Sequence, residues 1–450
     1  MNRKKLMRDT VLLTGSSLVM RCIALVFQMW LVSRIGAAGV GLYGLVGSVG
    51  FLAATVAISG IRFASTRLIS EELGLKRDGG VGHAMRLCMA YSVFFGVSSA
   101  LVLYLCAEPI GFLWVGDART VMSLRILSLS LPFISLSSVL YGYFTASGRI
   151  FKAAVVQVTE QLIRIGLVVA FLDFAPEGDL EKSCAAVCGG GTAAELCSFL
   201  LMLAVYLDDR RKYGKKSSSS PRLPARMLSI AVPLALSAYA RSSLSTIEQL
   251  LVPRGLKKAG YSANGALAGY GTIQGMVFPI IFFPSCIISA LAELIVPELT
   301  AAQVSGKKDE ISKAVSTLLR KSLGFSLFIG LMLFILSEML GGVIYKSEDA
   351  GYYLRIFSLL VPIMYMDMVT DGCLKGLGEH LWSMAFNIMD ALSGVILVYT
   401  LLPKFALNGY IGIIFFEEIF NFSLSIWRLS RVTEIKIFDI KERKKCRCRQ

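Results

Sequence analysis

The sequence predicts an all-α integral membrane protein with about 12 transmembrane helices in two parallel six-helix lobes. Three observations lead to this class. First, 55% of the 450 residues are apolar and the mean hydropathy is +0.65, while only 17% are charged; soluble domains carry about 25% charged residues. Second, apolar runs of about 20 residues, long enough to span a bilayer, recur along the chain. Third, one long segment occurs twice.

The duplicated segment is RILSLSLPFISLSSVLYGYFTASG at 125–148, which returns 230 residues later as RIFSLLVPIMYMDMVTDGCLKGLG at 355–378. Eight of its 24 positions are identical, among them Arg125/Arg355, Pro132/Pro362 and Gly148/Gly378. Downstream, Gln157-x-x-Glu160 meets Asn387-x-x-Asp390 at the same shift. Apolar composition does not produce matches of Arg, Pro and Gly, so one unit of about 200 residues has been used twice.

The spans follow from the apolar runs. A basic start precedes the first run at 11–32, which is too long for a signal peptide and is expected to stay in the membrane. The other predicted spans are 41–69, 84–107, 120–146, 152–174, 185–207, 225–252, 267–299, 315–337, 353–376, 381–402 and 408–430. The predicted domains are an N-lobe at 1–208, a cytoplasmic linker at 209–223, a C-lobe at 224–430 and a basic tail at 431–450. Because each lobe has an even number of spans, the repeats are parallel.

Loop charge predicts the orientation of the chain in the membrane. The loops alternate between a side with 30 Lys and Arg residues and a side with 8. Lys and Arg accumulate on the cytoplasmic side of membrane proteins. Both termini are therefore expected on the cytoplasmic side of the membrane. The formal charge of +15 reflects this bias and the basic tail, so nucleic-acid binding is not expected.

Several motifs carry no chemistry in this context. The pattern Gly39-x-Gly41-x-x-Gly44 resembles a dinucleotide fingerprint, but it joins two membrane spans and does not follow a strand. Its glycines are expected to form the turn and to allow close helix packing. The ten Cys and two His have no metal-ligand spacing. No hydrolase, kinase or redox constellation occurs, so we expect neither an enzyme nor a cofactor, apart from coupling to Na⁺ or H⁺.

Charges inside spans are the candidates for function, because a charge near the bilayer centre costs several kcal/mol unless a cavity or a partner compensates it. The spans of the first copy have a formal balance of +2 and those of the second a balance of −5. Arg21, Arg62 and Arg241 lie deep and have no acid one turn away on their own helix. They are predicted to face a cavity and bind a phosphate through the guanidinium fork; structural ion pairs are the alternative. Glu160 and Arg164, at i,i+4, are expected to pair.

The acidic residues of the second copy suggest a cation site. Asp367 and Asp371 share a helix face at i,i+4, and Asn387 and Asp390 share one at i,i+3. Carboxylate and amide oxygens bind hard cations, and a buried carboxylate can also take up a proton. Together with Glu248, these residues form the predicted Na⁺ or H⁺ site, with structural hydrogen bonding as the alternative.

The ends of the first two spans resemble a known family. SRIGAAGVGLYGL closes span one at Ser33–Leu45, and Ile58–Glu72 contains ISGI, an arginine and ISEE. With the basic start, these motifs are similar to the stage V sporulation protein B family, which belongs to the oligosaccharide and lipid-linked flippases of the MOP/MATE superfamily. The resemblance covers essentially the whole chain. It implies a V-shaped, two-lobed transporter in the bacterial plasma (inner) membrane that works by alternating access.

The resemblance also suggests roles for particular residues. Members that flip lipid II line a central cavity with arginines on the first two spans and on an early span of the second half, and Arg21, Arg62 and Arg241 occupy comparable places. Some members bind sodium in the second lobe, and Glu248, Asn387 and Asp390 are the corresponding candidates. Many members have fourteen spans, two more than predicted here.

Three functional hypotheses follow. The first is a flippase that exports an undecaprenyl-diphosphate-linked oligosaccharide or peptidoglycan precursor, with membrane lipids as its surroundings and a monomer as its expected state. The second is a Na⁺- or H⁺-coupled multidrug antiporter of the MATE type, which would use the acids of the second lobe. The third is a scaffold for envelope or spore-coat assembly without transport, in which cavity charges would be paired.

Overall fold

The computed structural model describes residues 3–74, 78–176, 178–210, 223–305 and 308–433. These ranges contain helices and turns but no strand. The helices are α1 Arg3–Ile58, α2 Ile61–Gly74, α3 Asp78–Leu105, α4 Ala107–Pro109, α5 Thr120–Ser128, α6 Leu131–Ala146, α7 Ile150–Asp173, α8 Leu180–Arg210, α9 Leu223–Lys258, α10 Ala263–Gly271, α11 Phe278–Phe282, α12 Ser285–Val304, α13 Lys308–Leu340, α14 Glu348–Ser358, α15 Val361–Gly376 and α16 His380–Thr433. π-Helical turns occupy Ile110–Val115, Thr272–Val277 and Gly341–Tyr345.

Two helices are too long to cross a membrane only once. Helix α1 has 56 residues and α16 has 54; at 1.5 Å per residue either one is over twice the roughly 30 Å of a bilayer core. Each is interrupted by left-handed backbone, at Gly36 with φ 70° and at Ala406 with φ 53°. Each therefore supplies two spans. The turn between the first two spans is at Gly36, while Gly39, Gly41 and Gly44 lie inside the helix that follows it.

The membrane-spanning pattern matches the prediction. Among the described residues, eight helices are long and apolar enough to span a bilayer. Two bent pairs, α5 with α6 at 42° and α14 with α15 at 56°, each make one further span. Counting the interrupted helices α1 and α16 as two spans each gives twelve candidate spans, the predicted number. The chain is an all-α membrane protein.

The duplicated segment has the same local structure in both copies. Both bends lie just before a proline, Pro132 or Pro362, in the first turn of the second helix. The Ser128 hydroxyl donates to the carbonyl of Arg125 at 2.6 Å, and Ser358 donates to Arg355 at the same distance. Both copies end in a left-handed glycine, with φ 67° at Gly148 and 74° at Gly378.

A matching arginine pair lies in the two copies. Arg125 contacts Glu108 at 2.7 Å and Arg355 contacts Glu338 at 3.2 Å. The guanidinium groups lie over the rings of Tyr104 and Phe334, at 5.6 Å and 4.8 Å from the ring centroids. These ion pairs are exposed, so each contributes less than about 1 kcal/mol. The pairs confirm that the repeat extends to side-chain interactions.

Packing divides the chain into two compact units. Unit 1 comprises Met1–Pro279 with Val398–Leu407, and unit 2 comprises Ile280–Leu397 with Asn408–Gln450. Unit 1 therefore contains helices α9 and α10 of the second copy as well as all helices of the first. The lobes inferred from the repeat, 1–208 and 224–430, are a different division and stay a prediction, as does their superposition about the membrane normal.

Helices α1 and α10 cross closely through glycines. A Cβ atom on Gly41 would lie 2.1 Å from the carbonyl oxygen of Leu267, and one on Gly271 would lie 2.1 Å from that of Ala37. The Gln28 side chain donates to the carbonyl of Gly275 at 2.9 Å nearby. Small residues let backbones approach in this way where no hydrophobic force drives helix association. The expected packing role of the glycines therefore holds for Gly41.

A polar loop at 116–119 connects to the start of the second copy. Arg119 donates to Asn264 at 3.0 Å, and Lys257 donates to the carbonyl of Gly116 at 2.9 Å. Burial alone would raise the pKa of Asp117, but hydrogen bonds from Arg119 outweigh it and hold that pKa below its usual value. The Asp117–Arg119 pair is therefore charged at neutral pH, and it fixes the loop that contacts α9 and α10.

The α1–α10 crossing gives a testable prediction. Gly41→Ala should destabilise the protein by about 1–3 kcal/mol, because the added methyl group overlaps the Leu267 backbone. Gly47→Ala is the matched control on the same helix, since a Cβ there meets nothing within 4 Å; it should be neutral or stabilising by up to about 1 kcal/mol through helix propensity. Thermal unfolding in detergent measures both. Equal stability of the two variants would contradict the proposed backbone contact.

Candidate functional site

The three predicted substrate arginines all lie in unit 1 and on exposed positions. Arg21 is in the first half of α1, Arg62 in the first turn of α2 and Arg241 midway along α9. Within the described ranges, no carboxylate forms an ion pair with any of them. They differ in this respect from Arg125, Arg164 and Arg355, each of which contacts a carboxylate.

A break in the second span determines the position of Arg62. Ser59 and Gly60 both have positive φ, 45° and 71°, and they separate α1 from α2. Two tyrosines compensate the interrupted helix: Tyr91 donates to the Ser59 carbonyl at 3.1 Å, and the Tyr239 hydroxyl lies 2.6 Å from the Ser59 hydroxyl. Such compensation allows a broken helix inside a membrane. Arg62 follows the break by two residues.

The same contact relates Arg62 to Arg241. Ser59 lies three residues before Arg62, and Tyr239 lies two residues before Arg241. Their 2.6 Å contact therefore places the two arginines within about one helical turn of a common point on neighbouring helices. The structure brings these two predicted residues into one region of unit 1. It gives no corresponding contact for Arg21, which lies two turns before Gln28 on α1.

Arg62 rests on an aromatic ring. Its guanidinium carbon is 5.3 Å from the centroid of Tyr141 on α6. A cation–π contact of this kind contributes about 0.5–2 kcal/mol. Sequence analysis did not identify Tyr141. The available signal was its spacing: Tyr141 lies on the duplicated segment, at the position that Asp371 occupies in the second copy.

A compact ionic network lies on the neighbouring helices of the first copy. Arg164 contacts Glu160 at 3.0 Å, which confirms the predicted i,i+4 pair, and it also contacts Glu195 on α8 at 2.5 Å. The Ser198 hydroxyl donates to the other oxygen of Glu160 at 2.7 Å. The network has two carboxylates and one guanidinium. Arg164 is therefore held by structural partners and is not available to a ligand.

Unit 2 contains four of the five residues predicted to bind a cation. Asp371 accepts hydrogen bonds from Lys375 and Ser383, and the Asn387 side chain donates to the Ser383 carbonyl at 2.8 Å. Ser383 thus connects Asp371 on α15 with Asn387 on α16. Asp371 has a lysine partner, and this pairing makes it the least available of the four to a free cation.

Asp367 and Asp390 are less completely paired. Asn421 donates to one oxygen of Asp367 at 3.1 Å. The other oxygen of Asp367 and one oxygen of Asp390 are buried without a hydrogen-bond partner in the described part of the chain. Glu418 lies within electrostatic range of both aspartates. Buried carboxylate oxygens without partners are costly, so this group is suited to take up a proton or a monovalent cation.

Glu248, the fifth predicted ligand, belongs to unit 1. It lies on α9 beside Gln249, which accepts a hydrogen bond from Tyr270 at 3.3 Å, and it interacts electrostatically with Tyr270. Its participation in the cation site stays a prediction. Over the described ranges, no three His, Cys, Asp or Glu side chains are placed to share one metal ion.

Two residues of the acidic group were not selected from the sequence. Glu418 and Asn421 lie on the second half of α16, and Ser425 follows on the same helix face at i+7 from Glu418. This spacing was visible in the sequence. The proximity of this helix face to Asp367 and Asp390 was not visible in the sequence, because it depends on how α16 packs against α15.

Comparisons with known proteins agree with this architecture. The family model described as "Polysaccharide biosynthesis protein" matches residues 6–291, and the model described as "MatE" matches 259–400. Stage V sporulation protein B of Bacillus subtilis (strain 168) is 25% identical over 423 residues, covering 91% of this chain and 80% of that protein. Multidrug export protein MepA of Staphylococcus aureus (strain MRSA252) is 24% identical over 342 residues, covering 72% and 71%.

A solved structure shares the fold. It is described as the inward-facing conformation of a multidrug resistance MATE family transporter of the MOP superfamily, with a TM-score of 0.73, 16% identity and coverage of 93% of this chain and 96% of that one. The first family model matches well over half of the present chain. The chain belongs to the polysaccharide biosynthesis protein family and is a membrane transporter of the MOP superfamily.

Proposed function

We propose that this transporter flips or exports an undecaprenyl-diphosphate-linked oligosaccharide or peptidoglycan precursor by alternating access. The observation that carries the proposal is the set of three exposed intramembrane arginines, Arg21, Arg62 and Arg241, which have no carboxylate partner in the described structure. A diphosphate matches them because guanidinium groups bind phosphate oxygens in pairs. The match to the polysaccharide biosynthesis model, which covers all three arginines, supports the same assignment.

The membrane potential favours this direction of transport. With both termini in the cytoplasm of a bacterial cell, as the loop charges indicate, an anionic headgroup moves outward from a negative interior. Each charge moved across 100 mV contributes about 2.3 kcal/mol. A diphosphate-linked substrate therefore gains driving force from the membrane potential, without a coupled ion. We expect the chain to act as a monomer among membrane lipids.

A cation-coupled multidrug antiporter is the second candidate. The buried oxygens of Asp367 and Asp390 favour Na⁺ or H⁺ coupling in unit 2, and the similarity to a multidrug export protein supports a related function. A cationic drug, however, would meet the positive charge of Arg21, Arg62 and Arg241. A scaffold without transport is the third candidate, and it requires paired cavity charges. The unpaired arginines favour transport of an anion over either alternative.

The substrate arginines give the first functional prediction. Arg21→Ala, Arg62→Ala and Arg241→Ala should each reduce flipping of a labelled undecaprenyl-diphosphate saccharide in liposomes at least tenfold, or about 1.4 kcal/mol. Expression should stay near wild type, because each change removes a charge without leaving a buried acid unpaired. Arg125→Ala is the control, since this arginine already pairs with Glu108.

Two results would argue against the anion site. Normal flipping in all three variants would remove its physical basis. Uptake of a fluorescent cationic drug by the same liposomes, increased in the Ala variants, would favour the multidrug antiporter.

The acidic group gives the second functional prediction. Asp390→Asn should weaken the dependence of thermal stability on Na⁺ concentration or on pH, because the change removes a charge whose oxygen is buried without a partner. Asp173→Asn is the control, since its carboxylate forms an exposed ion pair with Arg34. Midpoints of thermal unfolding would be compared across a titration of Na⁺ at several pH values. An unchanged response in Asp390→Asn would exclude this residue from the site.

A further inference from the structure

The ionic network of the first copy contains a cation that belongs to the chain itself. The Arg164 guanidinium lies between Glu160 and Glu195, at 3.0 Å and 2.5 Å. The side chains of these carboxylates are only 19% and 18% exposed. The Ser198 hydroxyl donates a hydrogen bond to the other oxygen of Glu160. A guanidinium between two carboxylates holds the place that a bound monovalent cation would take.

The repeat identifies the corresponding positions in the second copy. At the 230-residue shift, the oxygen-bearing side chains are retained: Glu160 corresponds to Asp390, Gln157 to Asn387 and Glu195 to Ser425. Arg164, by contrast, corresponds to Gly394. The second copy therefore keeps oxygen-bearing side chains that could bind a cation, but it has no guanidinium group at the position of Arg164.

If the second copy lacks the guanidinium partner, its carboxylate oxygens should be left without a hydrogen-bond partner. Glu160 has both of its oxygens occupied, by Arg164 and Ser198. Its counterpart Asp390 has a buried oxygen with no partner among the described residues, and so has Asp367 on the adjacent helix. Glu418 adds a further carboxylate within electrostatic range of both. The two copies thus present the same polar positions, one with a covalently attached cation and one without.

We propose that Arg164 is a tethered substitute for the coupling cation, so that the transporter has one exchangeable cation site, confined to the second copy. This inference rests on the cation coupling described under the proposed function. It assigns Arg164 a positioning role, since Arg164 holds Glu160 and Glu195 in place and does not contact the substrate. Exchange of a proton or Na⁺ then changes the charge of unit 2 alone, while the network of the first copy keeps a constant charge.

Chemical rescue tests the tethered cation directly. Arg164→Ala should lower the unfolding midpoint by several degrees, because two neighbouring carboxylates lose their common partner. Millimolar guanidinium, far below denaturing concentrations, should restore most of that loss by entering the vacated space. Tetramethylammonium, which is too large and donates no hydrogen bond, should not restore it. Guanidinium should leave the wild type unchanged at the same concentration, and Arg164→Lys should need less rescue than Arg164→Ala.

A neutral version of the network covers the case in which Arg164→Ala does not fold. The triple variant Glu160→Gln, Arg164→Met, Glu195→Gln removes all three charges together. It should fold and keep the Na⁺ or pH response of the wild type in full, whereas Asp390→Asn should lose that response. Loss of the response in the triple variant would overturn the proposal, because the first copy would then contain an exchangeable site.

The remaining outcomes separate this inference from the proposed function. Absence of guanidinium rescue in a folded Arg164→Ala variant, with the wild-type cation response intact, overturns only the role of Arg164. Absence of any cation response in the wild type overturns the coupling itself and the second-copy site with it. Loss of flipping in the arginine variants Arg21→Ala, Arg62→Ala and Arg241→Ala is independent of both results.

Discussion

The lack of water in the bilayer core is the constraint on which the structure depends. Every backbone polar group inside the membrane has to be bonded within the chain, which restricts the spans to helices. Breaks in those helices occur only where other groups compensate. At Ser59, the hydroxyls of Tyr91 and Tyr239 bond the interrupted segment. The bends before Pro132 and Pro362 retain hydrogen bonds from Ser128 and Ser358.

Duplication of one unit provided two copies of the same polar positions, and the copies now differ in charge. The first copy pairs its two acids with Arg164 and presents Arg62 over Tyr141. The second copy has Asp371 where the first has Tyr141, and Gly394 where the first has Arg164. A few substitutions on a common backbone thus convert a closed ionic network into an acidic group with open oxygens. The acids of the first copy are paired, whereas Asp367 and Asp390 in the second have buried oxygens without a partner in the described structure.

Much of this could be predicted from the sequence, because hydropathy, loop charge and the repeat are local or periodic signals. The twelve spans and the Glu160–Arg164 pair follow from them. The contact of Arg164 with Glu195, the lysine partner of Asp371 and the position of Asn421 beside Asp367 do not. The Arg164–Glu195 contact and the position of Asn421 depend on which helices are neighbours. The Lys375 partner had the right i,i+4 spacing to Asp371, but the sequence analysis did not pair the two residues. Gly36, and not the later glycines, forms the turn because its backbone is left-handed there.

Arg62 and Arg164 are held in different ways inside this membrane protein. A guanidinium group has five N–H donors along its edge. Arg164 directs one terminal nitrogen at two carboxylates, so its charge is compensated within the chain. The guanidinium carbon of Arg62 lies 5.3 Å from the centroid of the Tyr141 ring, and no carboxylate in the described structure pairs with it. An arginine held in this way can receive a phosphate without first breaking an ion pair, and the chain supplies the orientation that binding would otherwise have to impose.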